Sequence, residues 1–197
     1  MKSLDDVFGI YQNNYIKIFG LLYPSKNSTG FTERNLSVNF AKAYESMNPS
    51  SATWYEFQFG DKNNLHYDAI IINPKGKEIL IIESKRFSNV AKKTSEIKSD
   101  IDRINLSLSK YLHEFDRVEN NKGYSIIGVI LADVWDENSA KHSILESYKN
   151  KSFVEDYSMP PIHPVYSVLD FKALGKYEWV EKNYYLLSLA WKVGTIQ

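Results

Sequence analysis

Two nearly unbroken apolar runs separated by a four-residue turn constrain this chain more than any other feature. Tyr67 to Asn73 reads Tyr-Asp-Ala-Ile-Ile-Ile-Asn, Glu78 to Glu83 reads Glu-Ile-Leu-Ile-Ile-Glu, and Pro74-Lys75-Gly76-Lys77 lies between them. β-Branched residues on both sides of a turn containing Pro and Gly predict a β-hairpin. The runs are apolar at consecutive rather than alternate positions, so both faces of these strands must be covered. That places the hairpin centrally in a sheet.

The neighbouring segments supply the covering layers. Leu4, Val7, Phe8, Tyr11, Ile16, Phe19 and Leu22 follow helical spacing, predicting one or two helices over Leu4 to Leu22. Pro24 to Gly30 reads as a loop. Thr32 is placed to cap a helix running to about Tyr44, with Leu36, Phe40 and Tyr44 on one stripe and Ala43 beside them. Pro49-Ser50-Ser51 breaks the chain before an alternating aromatic strand, Trp54 to Phe59. After the hairpin, Ile97, Ile101, Ile104, Leu108 and Leu112 predict a helix over Lys92 to Phe115, followed by a buried strand from Tyr124 to Val134 and a helix from Asp136 to Tyr148. Beyond Pro160-Pro161, Pro164 to Phe171 reads as a strand. The last apolar segment, Tyr184 to Val193, reads as helix or strand, with Leu186, Leu187, Ala190 and Trp191 favouring a helix. The expected fold class is α/β, with a mixed central sheet flanked by helices, formed as one domain over residues 1–197.

A chain of 197 residues supports one substantial core and is short for two. The absence of cysteine excludes disulfides, Cys-ligated zinc, iron–sulfur clusters and cysteine nucleophiles. No basic segment followed by an apolar run opens the sequence, and no stretch approaches the roughly 18 apolar residues of a membrane span. A soluble, cytoplasmic protein is expected, with no membrane partner. Lys and Arg (24) balance Asp and Glu (24), so no global field draws in nucleic acid, although a local basic patch still can. Nucleophile elbows, phosphate-binding glycine loops and dinucleotide-binding glycine patterns are missing.

The informative residues are charges where the hairpin should be apolar. A turn symmetric about Lys75 and Gly76 sets Asp68 opposite Glu83, and a side-chain period of two puts Lys85 on the face that Glu83 occupies. Directly opposed Cβ atoms lie roughly 4.5–5.5 Å apart. Two half-buried carboxylates at that distance repel each other and demand a positive partner, either Lys85 or a divalent cation. A hard cation such as Mg²⁺ needs only one or two carboxylates, with water and substrate phosphate completing its shell. Glu33 lies on the stripe of Leu36, Phe40 and Tyr44, which directs it towards the sheet.

Asp68, fourteen residues, then Glu83-Ser84-Lys85 resembles the PD-(D/E)XK nuclease superfamily. The resemblance spans Thr32 to Val134 through the order αβββαβ, and implies a restriction-endonuclease-like core. Tyr67 stands where the name-giving proline would be. By resemblance, Glu33 is the helical acid, and Asp68, Glu83 and the Ser84 carbonyl hold Mg²⁺ or Mn²⁺. Lys85 positions or helps deprotonate the attacking water. The implied activity is phosphodiester hydrolysis in nucleic acid, DNA rather than RNA, in a setting such as defence against foreign DNA. A homodimer or partner subunit would serve to cut both strands. Between Lys85 and Lys98, Lys85, Arg86, Lys92, Lys93 and Lys98 face a single acid, Glu96. This run makes Arg86, Lys92 and Lys93 candidates for the phosphate backbone.

Each feature also has a plainer reading. Asp68, Glu83 and Lys85 would serve equally as a structural ion pair in a non-catalytic module that binds nucleic acid or protein. A phosphohydrolase acting on nucleotides would use similar metal chemistry. An acid at Glu33 is favoured by the helix macrodipole alone, and the basic run suits a solvated helix start. Glu56 reads as exposed, His66 as a surface residue, and His113, His142 and His163 lack metal-ligand spacing.

Overall fold

In the structure, a computed structural model, residues 4–22, 32–59, 65–111, 122–135, 138–149, 165–168, 171–172 and 183–196 are described. The hairpin forms from β2 (Leu65–Asn73) and β3 (Glu78–Arg86). Its pairs run Ala69↔Ile82, Ile70↔Ile81, Ile71↔Leu80, Ile72↔Ile79 and Asn73↔Glu78, the register that symmetry about Lys75 and Gly76 predicts. Asn73 Oδ1 accepts the Gly76 N–H at 3.0 Å to close the turn. A Cβ at Gly76 would lie 2.4 Å from Asn73 Nδ2, so a larger residue would have to displace the Asn73 amide that closes the turn.

Around the hairpin stand α1 (Leu4–Leu22), α2 (Glu33–Met47), β1 (Ala52–Phe59), α3 (Val90–Tyr111), β4 (Ser125–Trp135), α4 (Ser139–Lys149), β5 (Val165–Val168), β6 (Phe171–Lys172) and β7 (Asn183–Thr195). The seven strands make one mixed sheet in the order β1-β2-β3-β4-β7-β5, with β6 also on β7. β3 and β4 are parallel, joined by the α3 crossover, and the other pairings are antiparallel.

Alternation along the strands feeds two cores. Ala69, Ile71, Leu80, Ile82, Val129 and Leu131 pack with Phe8 and Tyr11 of α1 and Leu36 and Phe40 of α2. Ile70, Ile79, Ile81, Ile126 and Ile130 pack with Ile97, Ile101 and Ile104 of α3 and Leu145 of α4. The sheet is therefore covered on both faces, and the fold is α/β with helices on each side.

One expectation is corrected. Tyr184 to Val193 belongs to strand β7, not a helix, and pairs with β4 from Tyr184↔Trp135 to Thr195↔Ser125. Tyr184, Leu186 and Ala190 enter the core beneath α1 and α2, while Tyr185, Leu187, Leu189 and Trp191 enter the other. Within a continuous apolar run every helical spacing is satisfied by default, so Leu186, Leu187, Ala190 and Trp191 carried no real periodicity. Thr32 does occupy the N-cap position of α2 with extended backbone, but its side chain makes no capping hydrogen bond. The expected loop at Pro24 to Gly30 lies outside the described residues, as do the ends of the segments expected to reach Phe115, to begin at Asp136 and to begin at Pro164. No described helix is long and apolar enough to cross a membrane.

Gly128 on β4 pairs with Trp191 on β7, and a Cβ there would lie 2.4 Å from Trp191 Cζ2. The indole is anchored by its Nε1–H, which donates to Asn105 Oδ1 at 2.8 Å. Gly128→Ala is therefore expected to lower the urea midpoint by the equivalent of about 1–3 kcal/mol. Its cost should shrink in a Trp191→Phe background, which withdraws the crowded ring. An equal cost in both backgrounds would show that this contact does not require the glycine.

Candidate active site

The backbone ladder between β2 and β3 ends at Ala69↔Ile82, one residue short of Asp68. Beyond it, Asp68 Oδ2 accepts the Ser84 N–H at 2.6 Å, a side chain taking the place of a main-chain acceptor. The strand alternation breaks here as well. Tyr67 and Ile70, three residues apart, pack in the same core, and on the neighbouring strand Glu56 holds a left-handed φ of 53° between the pairs Tyr55↔Ala69 and Phe57↔Tyr67. The β1–β2 register itself is unbroken across this point, so the change lies in which way the side chains point. Asp68 thus turns towards the main chain of β3.

Glu83 and Lys85 both meet α3. Lys85 Nζ lies 2.9 Å from Asp100 Oδ2 and 3.6 Å from Glu83 Oε2. Arg103 Nη2 pairs with Glu83 Oε1 and, at 2.7 Å, with Asp100 Oδ1. The Arg103 guanidinium also sits 4.9 Å from the centre of the Tyr67 ring. The result is a nearly closed cluster, two carboxylates alternating with two cations. Sequence reading overlooked Asp100 and Arg103, yet a signal existed. Asp100 falls on the stripe of Ile97, Ile101 and Ile104, an acid at a core-facing position.

Burial sets the electrostatics. The Glu83 side chain is only 3% exposed, and burial together with the charges of Asp100 and Asp68 pushes its carboxyl up to about 8, against the pull of Arg103 and Lys85. Burial also raises Asp68, partly offset by the Ser84 N–H and Lys85. For Lys85 burial alone would lower the value, but Glu83 and Asp100 dominate together and raise it to about 12. Lys85 therefore stays protonated at any physiological pH.

Glu33 opens α2 at the far end of β3. Its Oε1 accepts the Arg86 N–H at 2.9 Å and a hydrogen bond from Lys93 Nζ at 3.0 Å. Its charge contributes to raising Asp68. Ser84 sends its hydroxyl to the other face, where Oγ lies 2.7 Å from Ser37 Oγ. The basic candidates are substantially neutralised within the chain. Lys93 is held by Glu33 and Glu96, Lys92 lies 3.8 Å from Glu96 with a largely exposed side chain, and Arg86 acts electrostatically on Asp133. Glu56 and His66 are exposed, as is His142, while His113 and His163 lie outside the described residues.

Among the described residues no three His, Cys, Asp or Glu side chains converge as a ready metal cage. A Mg²⁺-type ion does not need one, since one or two carboxylates with water and phosphate suffice. Asp68, Glu83 and Asp100 outnumber Lys85 and Arg103, and the raised carboxyls of Asp68 and Glu83 would ionise more readily beside a further positive charge. The donor set fits a divalent ion on those grounds.

Set against known proteins, the chain matches no family model, no curated protein and no solved structure.

A second buried acid lies across the sheet. Asp133 accepts a hydrogen bond from the Tyr184 hydroxyl at 3.1 Å, and its Oδ1 finds no hydrogen-bond partner among the described residues. Burial pushes its carboxyl up from 3.8 to about 7, against the opposing pull of Arg86 and Tyr184. The folded state then binds this proton more tightly than the unfolded chain does. The stability it contributes is greatest below about pH 4 and declines as pH rises towards 7. Asp133→Asn removes that decline. Compared by urea unfolding, the variant should gain on the wild type by a few kcal/mol between pH 4.5 and pH 8. A stability difference independent of pH would show that Asp133 ionises in the fold as easily as in water.

Proposed function

We propose that the chain is a Mg²⁺- or Mn²⁺-dependent nuclease of the PD-(D/E)XK type, hydrolysing phosphodiester bonds in DNA. The observation that carries this reading is the fixed Asp68 carboxylate at the end of the β2–β3 ladder, bonded to Ser84 between Glu83 and Lys85. The succession α2-β1-β2-β3-α3-β4 supports a restriction-endonuclease-like core.

Asp68, Glu83 and the Ser84 carbonyl are the groups that would hold the ion. When bound, a divalent ion lowers the pKa of an attacking water and offsets charge on the scissile phosphate. Lys85, held protonated by its acidic neighbours, donates hydrogen bonds to that water or to a phosphate oxygen and stabilises developing negative charge. Asp100 fixes the direction of Lys85, and Glu33 fixes the strand end through the Arg86 N–H. Of the basic candidates, Lys92 has a largely exposed side chain, which supports a role for it against a phosphate backbone. A homodimer acting in the cytoplasm against foreign DNA is the setting in keeping with this reading.

One observation favours a second reading. Both Glu83 oxygens already face protein cations, Arg103 on one and Lys85 on the other. A non-catalytic module that binds nucleic acid or protein would keep such a cluster as structure.

Cleavage of supercoiled plasmid, linear duplex, single-stranded DNA and RNA, each with Mg²⁺ or Mn²⁺ and with EDTA, separates the two. Metal-dependent cutting of DNA is expected, reduced about 100-fold or more by Asp68→Asn and by Lys85→Ala. No cutting of any substrate, with no metal-induced rise in melting temperature, would select the binding module.

A further inference from the structure

The ion pair between Arg103 and Glu83 bears on how a divalent ion would enter. Arg103 reaches the site from the fourth turn of α3, and three features of its seat matter. Its Nη2 engages Glu83 Oε1, a carboxylate oxygen that a metal would also use. It holds a second anchor on Asp100 Oδ1 at 2.7 Å and lies over the Tyr67 ring at 4.9 Å, so release from Glu83 does not leave it without partners. Its side chain is 26% exposed and its Nε finds no hydrogen-bond partner among the described residues, so the guanidinium is neither sealed in nor fully satisfied.

A guanidinium and a divalent ion cannot share one carboxylate oxygen without strong like-charge repulsion. A buried Glu83 without any cation is equally unfavourable, because an unpaired buried carboxylate is costly. We infer that Arg103 is an exchangeable counter-ion for Glu83: it occupies the carboxylate in the metal-free protein, yields it to the divalent ion, and then offers its freed donors to a substrate phosphate. The planar fork of Arg suits that second task, since it pairs with phosphate oxygens bidentately. Arg103 in this scheme is a positioning residue in the metal-free state and a phosphate contact only after exchange. The inference rests on the metal-site reading above.

Calorimetric titration of the full chain with Mn²⁺ alone tests the exchange without any turnover. Arg103→Met, which keeps an unbranched apolar side chain over Tyr67, is expected to bind Mn²⁺ about tenfold more tightly than wild type. Arg103→Lys keeps the charge and should fall between them, which separates electrostatic competition from a folding defect. In the presence of Mn²⁺ and the inactivating Lys85→Ala change, Arg103→Met should weaken binding of a short DNA several-fold. Equal or weaker Mn²⁺ binding by Arg103→Met would overturn the exchange and leave Arg103 as a support that orients Glu83. Unchanged DNA binding would overturn the transfer to phosphate. Absence of Mn²⁺ binding in wild type and Arg103→Met alike would overturn the metal site itself, and this inference with it.

Discussion

A strand whose residues from Ile79 to Ser84 are all buried has no face left for water, so any charge on it must be satisfied by the rest of the chain. β3 carries such a charge at Glu83, and much of the surrounding structure answers to it. α3 brings Arg103 and Asp100 over one face, and Lys85 closes the cluster. On the strand itself, the main-chain N–H of Ser84, freed where β2 stops pairing, is taken by Asp68. The left-handed backbone of Glu56, opposite Asp68 in the β1–β2 register, accompanies the same arrangement.

Three elements converge at the carboxyl end of β3, and the bonds between them are mostly to backbone. Glu33 of α2 holds the Arg86 N–H, the Phe87 N–H donates to the Asp133 carbonyl at 2.9 Å, and Lys93 of α3 returns to Glu33. Helix, strand and crossover are thereby fixed to one another within a few residues of Glu83. The same bonds explain why a run of lysines does not form an open basic surface. Lys93 is used as a structural cation, leaving the more exposed Lys92 freer to meet a partner.

What could be read in advance followed from local rules, and what could not depended on distant packing. The register of the hairpin was legible because a short turn fixes pairing, and Ala69↔Ile82 follows directly from the placement of Lys75 and Gly76. The placement of Glu33 near the site was legible from its position on the stripe of Leu36 and Phe40. The identity of β7 was not, because a segment buried on both faces loses the alternation that marks a strand. Asp100 and Arg103 were missed for a related reason. Asp100 stands at a core-facing position of the α3 stripe, but which charges it and Arg103 would meet depended on the partner strand. The turning of Asp68 onto Ser84 was invisible too, since strict alternation places it on a face rather than in the gap between strands.

The position of β7 has a bearing on how the molecule comes together during synthesis. β1 to β4 lie next to one another in sequence order, so their half of the sheet can collapse as the chain emerges. β7 follows the other six strands in sequence, yet it lies between β4 and β5 and supplies buried side chains to both cores. Until it arrives, β4 presents an unpaired edge running from Ser125 to Trp135, lined by apolar residues and open to pairing with other chains. A nascent chain thus keeps this edge open until β7 emerges, and the step that seals the sheet joins segments separated by more sequence than any pairing on the β1 side.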